Sequence, residues 1–462
     1  MFYEEVKDKM EEACGVFGIY APGKDVARLA YYALYALQHR GQQSAGIAVS
    51  NGKQVRVHKG AGLVADVFSD QSLNNLKGHL AVGHVQYTPI NSGLAVNAQP
   101  LVCQCLKGKM AICHNGNLVN VKELKEHLAA RGVVFQSSLD VEIVVNLIAR
   151  NGGGGLKEAL KKAMLELKGS YALVLMTEDK LIGIRDPYGN RPLCLGRLEG
   201  SYVLASESCA LDVLGAEFIR DVAPGEIVII DQSGCRSFKF SSRSTEALCV
   251  FEFIYFARPD STIDGLNVMR VRRAMGRELA RESPVEADIV LPVPDSGIAG
   301  ALGYAGELGL FFDMGLMKNR YIGRTFIRPE QSERSLAVRL KLNPVTELVV
   351  GKRVAVVDDS IVRGTTSKKI VKTLRNRGAK EVHLLITSPP VIASCYYGID
   401  TSERGQLIAA QKSVEEIREY VGADSLSYLS LPGLYRALKR EQGFCTACFT
   451  EKYLLGLPKE VR

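Results

Sequence analysis

The sequence VAVVDDSIVRGTT, residues 354–366, constrains the fold more than any other stretch. Its first four residues, Val354, Ala355, Val356 and Val357, are apolar and mostly β-branched, and they read as a short buried strand ending on two adjacent acids, Asp358 and Asp359. A tight turn of small residues follows, and Ser367, Lys368, Lys369, Ile370 and Val371 continue with the pattern of a helix. A strand, a glycine turn and a helix in that order make an anion site, because backbone N–H groups at the helix start are turned toward it. Phosphate would sit on Gly364, Thr365, Thr366 and Ser367, beside Arg363, while the two acids would take sugar hydroxyls or a hard cation such as Mg²⁺.

The remainder of the chain divides by its periodicity. From residue 14 to about 240, short β-branched runs alternate with turns: GIAVS at 46–50, MAICHNGN at 110–117, YALVLM at 171–176 and EIVII at 226–230. Two helices are expected to interrupt them, at 27–38 and 140–150, and the NGGGG run at 151–155 reads as a connector inside the same domain. The polar SSRSTEA at 241–247 reads as the seam. Beyond it ADIVLPVPDS, VAVVDD and EVHLLITSPP alternate with helical segments, the signature of βαβ units and a parallel sheet. The expected organisation is a leader at 1–13, a β-rich sandwich domain at 14–240 and an α/β domain at 241–462.

Charge and cysteine content narrow the function. The 58 basic and 50 acidic residues leave a net +8, but the basic ones are scattered, which suits a small anionic substrate better than nucleic acid. No run approaches the roughly 20 apolar residues of a membrane span, and the acidic N-terminus MFYEEVKDKMEEA has no signal-peptide core, so a cytoplasmic protein is expected. There, eleven cysteines argue for a catalytic thiol or a metal site rather than disulfides.

Cys14 follows the short acidic leader. Cleavage after Ala13 would give one residue both a thiol and an α-amine, whose pKa of roughly 7.7–8.0 suits it to act as the base for that thiol. With CGVFGIY at 14–20, QHRGQQSAGI at 38–47 and HNGN at 114–117, the region resembles the class II glutamine amidotransferases, N-terminal-nucleophile hydrolases with an αββα sandwich. The resemblance implies that Cys14 is the nucleophile, that the Asn115 side chain and the Gly116 N–H stabilise the oxyanion, and that Asp140 receives the glutamine α-amine. One motif departs from the pattern. Where the family reads Gly-His-Val-Arg-Tyr-Ser-Thr, this chain has Gly83, His84, Val85, Gln86, Tyr87, Thr88 and Pro89. A charged bidentate contact to the glutamine carboxylate is replaced by neutral Gln86, which predicts a weaker glutamine site.

The 354–366 stretch resembles the phosphoribosyl-diphosphate (PRPP) loop of type I phosphoribosyltransferases. Together with FIYFARPDSTID at 253–264, PVPDSG at 292–297, GLMKNRYIGRTFIRP at 315–329 and VRLKLNP at 338–344, it resembles the glutamine PRPP amidotransferase family. That resemblance implies formation of 5-phosphoribosylamine, which opens purine synthesis, with PRPP and glutamine as substrates. It implies Mg²⁺ on Ser296, Asp358 and Asp359, and a flap carrying Lys318, Arg320 and Arg324 that closes over the pyrophosphate. It also implies a closed apolar passage for ammonia, purine nucleotides as feedback inhibitors, and a homotetramer. Cys445 and Cys448 form a C-x-x-C, which on spacing alone could be half a metal site. With Cys249 and Cys395 they supply four thiolates, suited to either structural Zn²⁺ or a [4Fe–4S] cluster; the resemblance favours the cluster. Cys103, Cys105, Cys113, Cys194, Cys209 and Cys235 have no such context. Two other readings stay open: a nucleotide-binding regulatory relative with impaired glutaminase, and an ammonia-dependent transferase.

Overall fold

The computed structural model describes residues 11–12, 14–87, 97–105, 108–241, 245–319, 342–400 and 403–456. Alternation along CGVFGIY sets the first domain's layers, because successive strand side chains point to opposite faces. Val16 joins Val82, Cys113, Ala172, Val174 and Val228 in the core between two sheets. Phe17 and Ile19 face the other way, onto the Val26–Ala36 helix. The first sheet has seven antiparallel strands, with Cys14–Tyr20 hydrogen-bonded to Leu80–Gln86 and that strand to Ser44–Ser50. Six antiparallel strands make the second sheet, in which Gly108–Leu118 pairs with Gly169–Met176. Val141–Arg150 and Leu156–Glu166 cover its outer face over Ile112, Leu173 and Leu175, completing the αββα sandwich.

This domain is more helical than the sequence reading expected. Val121–Ala129, Leu156–Glu166 and Ser208–Leu214 are also α-helices. Leu156–Glu166 buries Ala159, Leu160, Ala163 and Met164, a spacing of about one turn whose signal is diluted by the lysines between. The first expected helix stops at Ala36, and a 3₁₀ turn, Gln38–Arg40, follows it and turns Arg40 inward.

The second domain carries a parallel sheet in the order Ile289–Pro292, Arg353–Asp358, Glu381–Ile386, Ser425–Tyr428. Both faces are covered, as parallel sheets require. Ala355 and Val357 pack against Val268–Glu282, Ile298–Leu308 and Leu431–Leu438, and Val354 and Val356 pack against Thr365–Asn376 and Val414–Val421. Among the described residues no helix is long and apolar enough to cross a membrane.

Candidate active sites and the residues between them

Cys14 begins its strand at the inner edge of the sandwich, 6% exposed. In the antiparallel register it stands directly opposite Gln86, which stands opposite Ser44. Opposed residues put their Cβ atoms on one face roughly 5 Å apart, so the three side chains form a row. Ser44 Oγ donates to Gln86 Oε1 at 3.2 Å. On the facing sheet, Asn115 follows Cys113 by two residues and so shares its inward face. Asn115 is fully buried, and neither of its amide atoms has a hydrogen-bond partner among the described residues. A buried, unpartnered amide is costly unless a ligand satisfies it. Gly116 has φ of 137°, and a Cβ there would meet Ser170 O at 2.0 Å. His114 points outward, where its Nδ1 lies 3.1 Å from Asp140 Oδ1. Burial pushes the Asp140 carboxyl up, but the charge and hydrogen bond of His114 and the N–H groups of Leu118 and Val141 outweigh it and hold the pKa below the ordinary value.

Arg40, within the QHRGQQSAG motif but given no role from sequence, is the link behind Cys14. It is 1% exposed, and its Nε donates to Cys14 O at 3.2 Å. Its two Nη groups donate to Glu207 and to Glu252, at 3.1 and 2.8 Å for Glu252. Glu207 also accepts from His39 Nε2 (2.7 Å), Ser261 Oγ (2.6 Å) and Arg258 N (2.9 Å). Burial raises the Glu207 pKa, and His39, Arg40 and these hydrogen bonds more than reverse it, keeping the group ionised. Glu207 and Glu252, also unanticipated, join the two domains through fully buried, paired charges. Removing one partner of such a set typically costs about 3–5 kcal/mol.

In the second domain the strand Arg353–Asp358 delivers the acid pair to the sheet's C-terminal edge, where ligands of open α/β sheets bind. Asp358 and Asp359 are 2% and 1% exposed. Asp359 accepts from Ser296 Oγ on one oxygen and Ser360 Oγ on the other, and its N–H donates to Asp358 Oδ1 at 2.9 Å. Gly364, at φ 77°, is the N-cap of Thr365–Asn376, and Arg363 donates to Gln406. Ser367 is buried in the first turn, beside Thr365 and Thr366. Lys318 Nζ donates to Asp295 Oδ2 at 2.8 Å, from the strand Leu316–Lys318 that pairs with Leu342–Pro344. Arg320, Arg324, Thr88 and Pro89 lie outside the described residues, as does most of 1–13.

A cavity of about 400 Å³ is lined by His39 and Arg40 from the first domain and by Tyr255, Arg258, Ser296 and Lys318 from the second. Phe256, Arg272 and Asp295 also line it.

The four cysteines draw together from three segments. Leu248–Cys249 pairs in parallel with Phe444–Cys445, setting Cys249 beside Cys445. The N–H groups of Ile392 and Ala393 donate to Cys448 O at 2.9 and 3.1 Å, tying the loop that leads to Cys395 onto the C-terminal turn. Burial pushes the Cys445 thiol up to about 11 and raises those of Cys249 and Cys448 well above the ordinary value, and the neighbouring thiols add to the shift. Among the described residues, no three His, Cys, Asp or Glu side chains stand closely enough to share a single metal ion.

Comparison with known proteins places this geometry. Residues 89–213 match the glutamine amidotransferase domain family, and residues 265–388 match the phosphoribosyl transferase domain family. The amidophosphoribosyltransferase of Archaeoglobus fulgidus is 51% identical over 97% of this chain and 99% of its own length. That of Synechococcus elongatus is 49% identical over 99% of this chain and 94% of its own. The crystallised glutamine PRPP amidotransferase from Bacillus subtilis, complexed with ADP and GMP, is 48% identical, covers 97% of this chain and 100% of its own, and superposes with a TM-score of 0.92. With a paired-sheet domain bearing Cys14, a parallel sheet bearing the Asp358 and Asp359 loop, and this likeness along nearly its whole length, the chain belongs to the amidophosphoribosyltransferase family.

Proposed function

We propose that this chain is an amidophosphoribosyltransferase that converts PRPP, glutamine and water to 5-phosphoribosylamine, pyrophosphate and glutamate, the first step of purine nucleotide synthesis. The observation that carries the reading is the pairing of a buried nucleophile row with an unpartnered Asn115 amide in one domain, and a strand-end acid pair before a glycine-capped helix in the other. The Cys14 thiol attacks the glutamine carboxamide, its own α-amine takes the proton, and Asn115 and Gly116 hold the developing oxyanion. Ammonia leaves, and water hydrolyses the thioester. The released ammonia passes to the second site and displaces pyrophosphate from C1 with inversion. Asp140 takes the substrate's α-amine. Gly364, Thr365, Thr366 and Ser367 with Arg363 take the 5-phosphate end, and Lys318, Arg320 and Arg324 take the pyrophosphate. Phosphoribosylamine formation measured separately with glutamine and with ammonia tests the whole reading. No product with either donor would leave only a binding role.

The leader at 1–13 is removed to free the Cys14 amine, and the domains meet near residues 240–241. Ser296, Asp358 and Asp359 offer only oxygen donors at one strand end, which fits Mg²⁺; when bound, that ion neutralises the pyrophosphate. Cys249, Cys395, Cys445 and Cys448 offer only sulfur. Four thiolates suit a [4Fe–4S] cluster or structural Zn²⁺, and the resemblance favours the cluster. Anaerobically isolated protein is therefore expected to hold about four irons per chain, and Cys448→Ser to lose iron and stability together. Stoichiometric zinc would overturn the assignment. Purine nucleotides as regulators are supported by the ADP and GMP bound to the Bacillus relative. A homotetramer in the cytoplasm completes the reading, on the resemblance alone.

Gln86 makes the glutamine site divergent. In the row with Cys14 it offers a neutral amide, already engaged by Ser44, where a guanidinium would pair with the substrate carboxylate. Gln86→Arg is expected to lower the Michaelis constant for glutamine by about 1–3 kcal/mol of binding and leave the ammonia reaction unchanged. An unaltered constant would mean that another residue holds the carboxylate.

A further inference from the structure

The oxyanion segment does not stand alone. Residues 396–398, which directly follow Cys395, lie against it from the other domain. Asn117 Nδ2 donates to Tyr396 O at 3.0 Å, and Arg191 Nη2, on the glutaminase side, donates to Tyr397 O at 2.7 Å. Gly398, at φ 100°, approaches so closely that a Cβ there would stand 2.8 and 2.9 Å from the carbonyl carbon and Cα of Gly116, and 3.1 Å from Arg191 Nη2. No side chain fits in that gap without moving the Gly116 backbone. The loop's far side is fixed too. Cys448 O accepts from Ile392 and Ala393, Tyr453 Oη donates to Ser394 O at 2.7 Å, and Leu455 N donates to Tyr397 Oη at 3.0 Å. The loop is thus clamped between the C-terminal cysteine turn and the backbone that follows Asn115. Ile399–Asp400, the next residues, pair with Glu11–Glu12 of the leader, so the segment preceding Cys14 runs beside the same loop.

We propose that residues 396–398 position the oxyanion segment for glutamine hydrolysis, with Gly398 and the Asn117 to Tyr396 hydrogen bond fixing where the Gly116 backbone stands. This rests on the reading of Asn115 and Gly116 as oxyanion donors. A donor displaced by a few tenths of an ångström loses strength only where charge develops, in the transition state, so the loop acts on kcat and not on substrate binding. The second domain's cysteine-bearing loop thereby becomes part of the glutaminase, although it contributes no atom to the substrate.

Three variants of the full-length enzyme test this: Gly398→Ala, Asn117→Ala and, as a control, Asn115→Ala. Gly398→Ala is expected to lower glutamine-dependent kcat by about tenfold to a hundredfold, with the Michaelis constant for glutamine within about twofold and the ammonia reaction intact. Asn117→Ala, which inserts no atom, is expected to lower the same kcat by about fivefold with the same split. If Asn115→Ala disables glutamine use while both other variants keep it within about twofold, the positioning role is wrong and the oxyanion reading stands. If Asn115→Ala itself retains glutamine use, the oxyanion reading falls, and this inference with it. Should Gly398→Ala also lose the ammonia reaction, the loop has lost its fold, and the kcat split in Asn117→Ala decides.

Discussion

Asp359→Asn is expected to abolish phosphoribosylamine formation with glutamine and with ammonia alike, by at least about a hundredfold, while basal glutamine hydrolysis persists. The substitution keeps the side chain's size and removes its charge. In the structure that charge is nearly wholly buried and gathered by two hydroxyls, Ser296 from the first strand's loop and Ser360 from its own. An Asn there would turn an amide donor toward one of those hydroxyls and leave a cationic ligand uncompensated. On the proposed reading the acid pair serves the displacement at C1 and not ammonia release, so the source of nitrogen is expected to make no difference. Retention of synthesis within about tenfold would remove Asp359 from the site.

Cys14→Ala is expected to have the opposite selectivity. Glutamine-dependent synthesis should fall by at least about a thousandfold, because the thiol supplies the bond that splits the amide, and ammonia-dependent synthesis should stay within about twofold. The side chain occupies the end of a row with Gln86 and Ser44, and the backbone is held by Arg40 through its carbonyl, so removing one sulfur leaves the sheet register and the domain contacts in place. A glutamine-dependent rate that survives the change would place the nucleophile elsewhere. Together the two variants separate the reaction into its halves.

Much of this is legible in the sequence. The periodicity of VAVVDD and the shift from turn-bounded β runs to alternating strands and helices gave the two fold types, since strand alternation and buried parallel runs are local properties of side-chain placement. The helices at 121–129, 156–166 and 208–214 were missed because short or lysine-rich segments carry a faint periodic signal, and only packing against a sheet face makes them stable. Cys14, the HNGN segment and the acid pair stand out in the sequence because each sits in a short motif of unusual residues. Arg40 was visible in its motif but had no assignable partner.

What the sequence determined by itself is therefore the local structure: a cysteine at a strand start, an acid pair at a strand end, a glycine that lets a helix begin. What only the tertiary structure decided is which distant groups meet. Arg40 and Glu252 are 212 positions apart, and Gly398 touches Gly116 across the domain boundary. Nothing in either local sequence names the other. A buried charge must find its counter-charge, and the close approach of Gly398 to Gly116 leaves no room for a Cβ, and both conditions are met by the folded arrangement of the domains rather than by spacing along the chain.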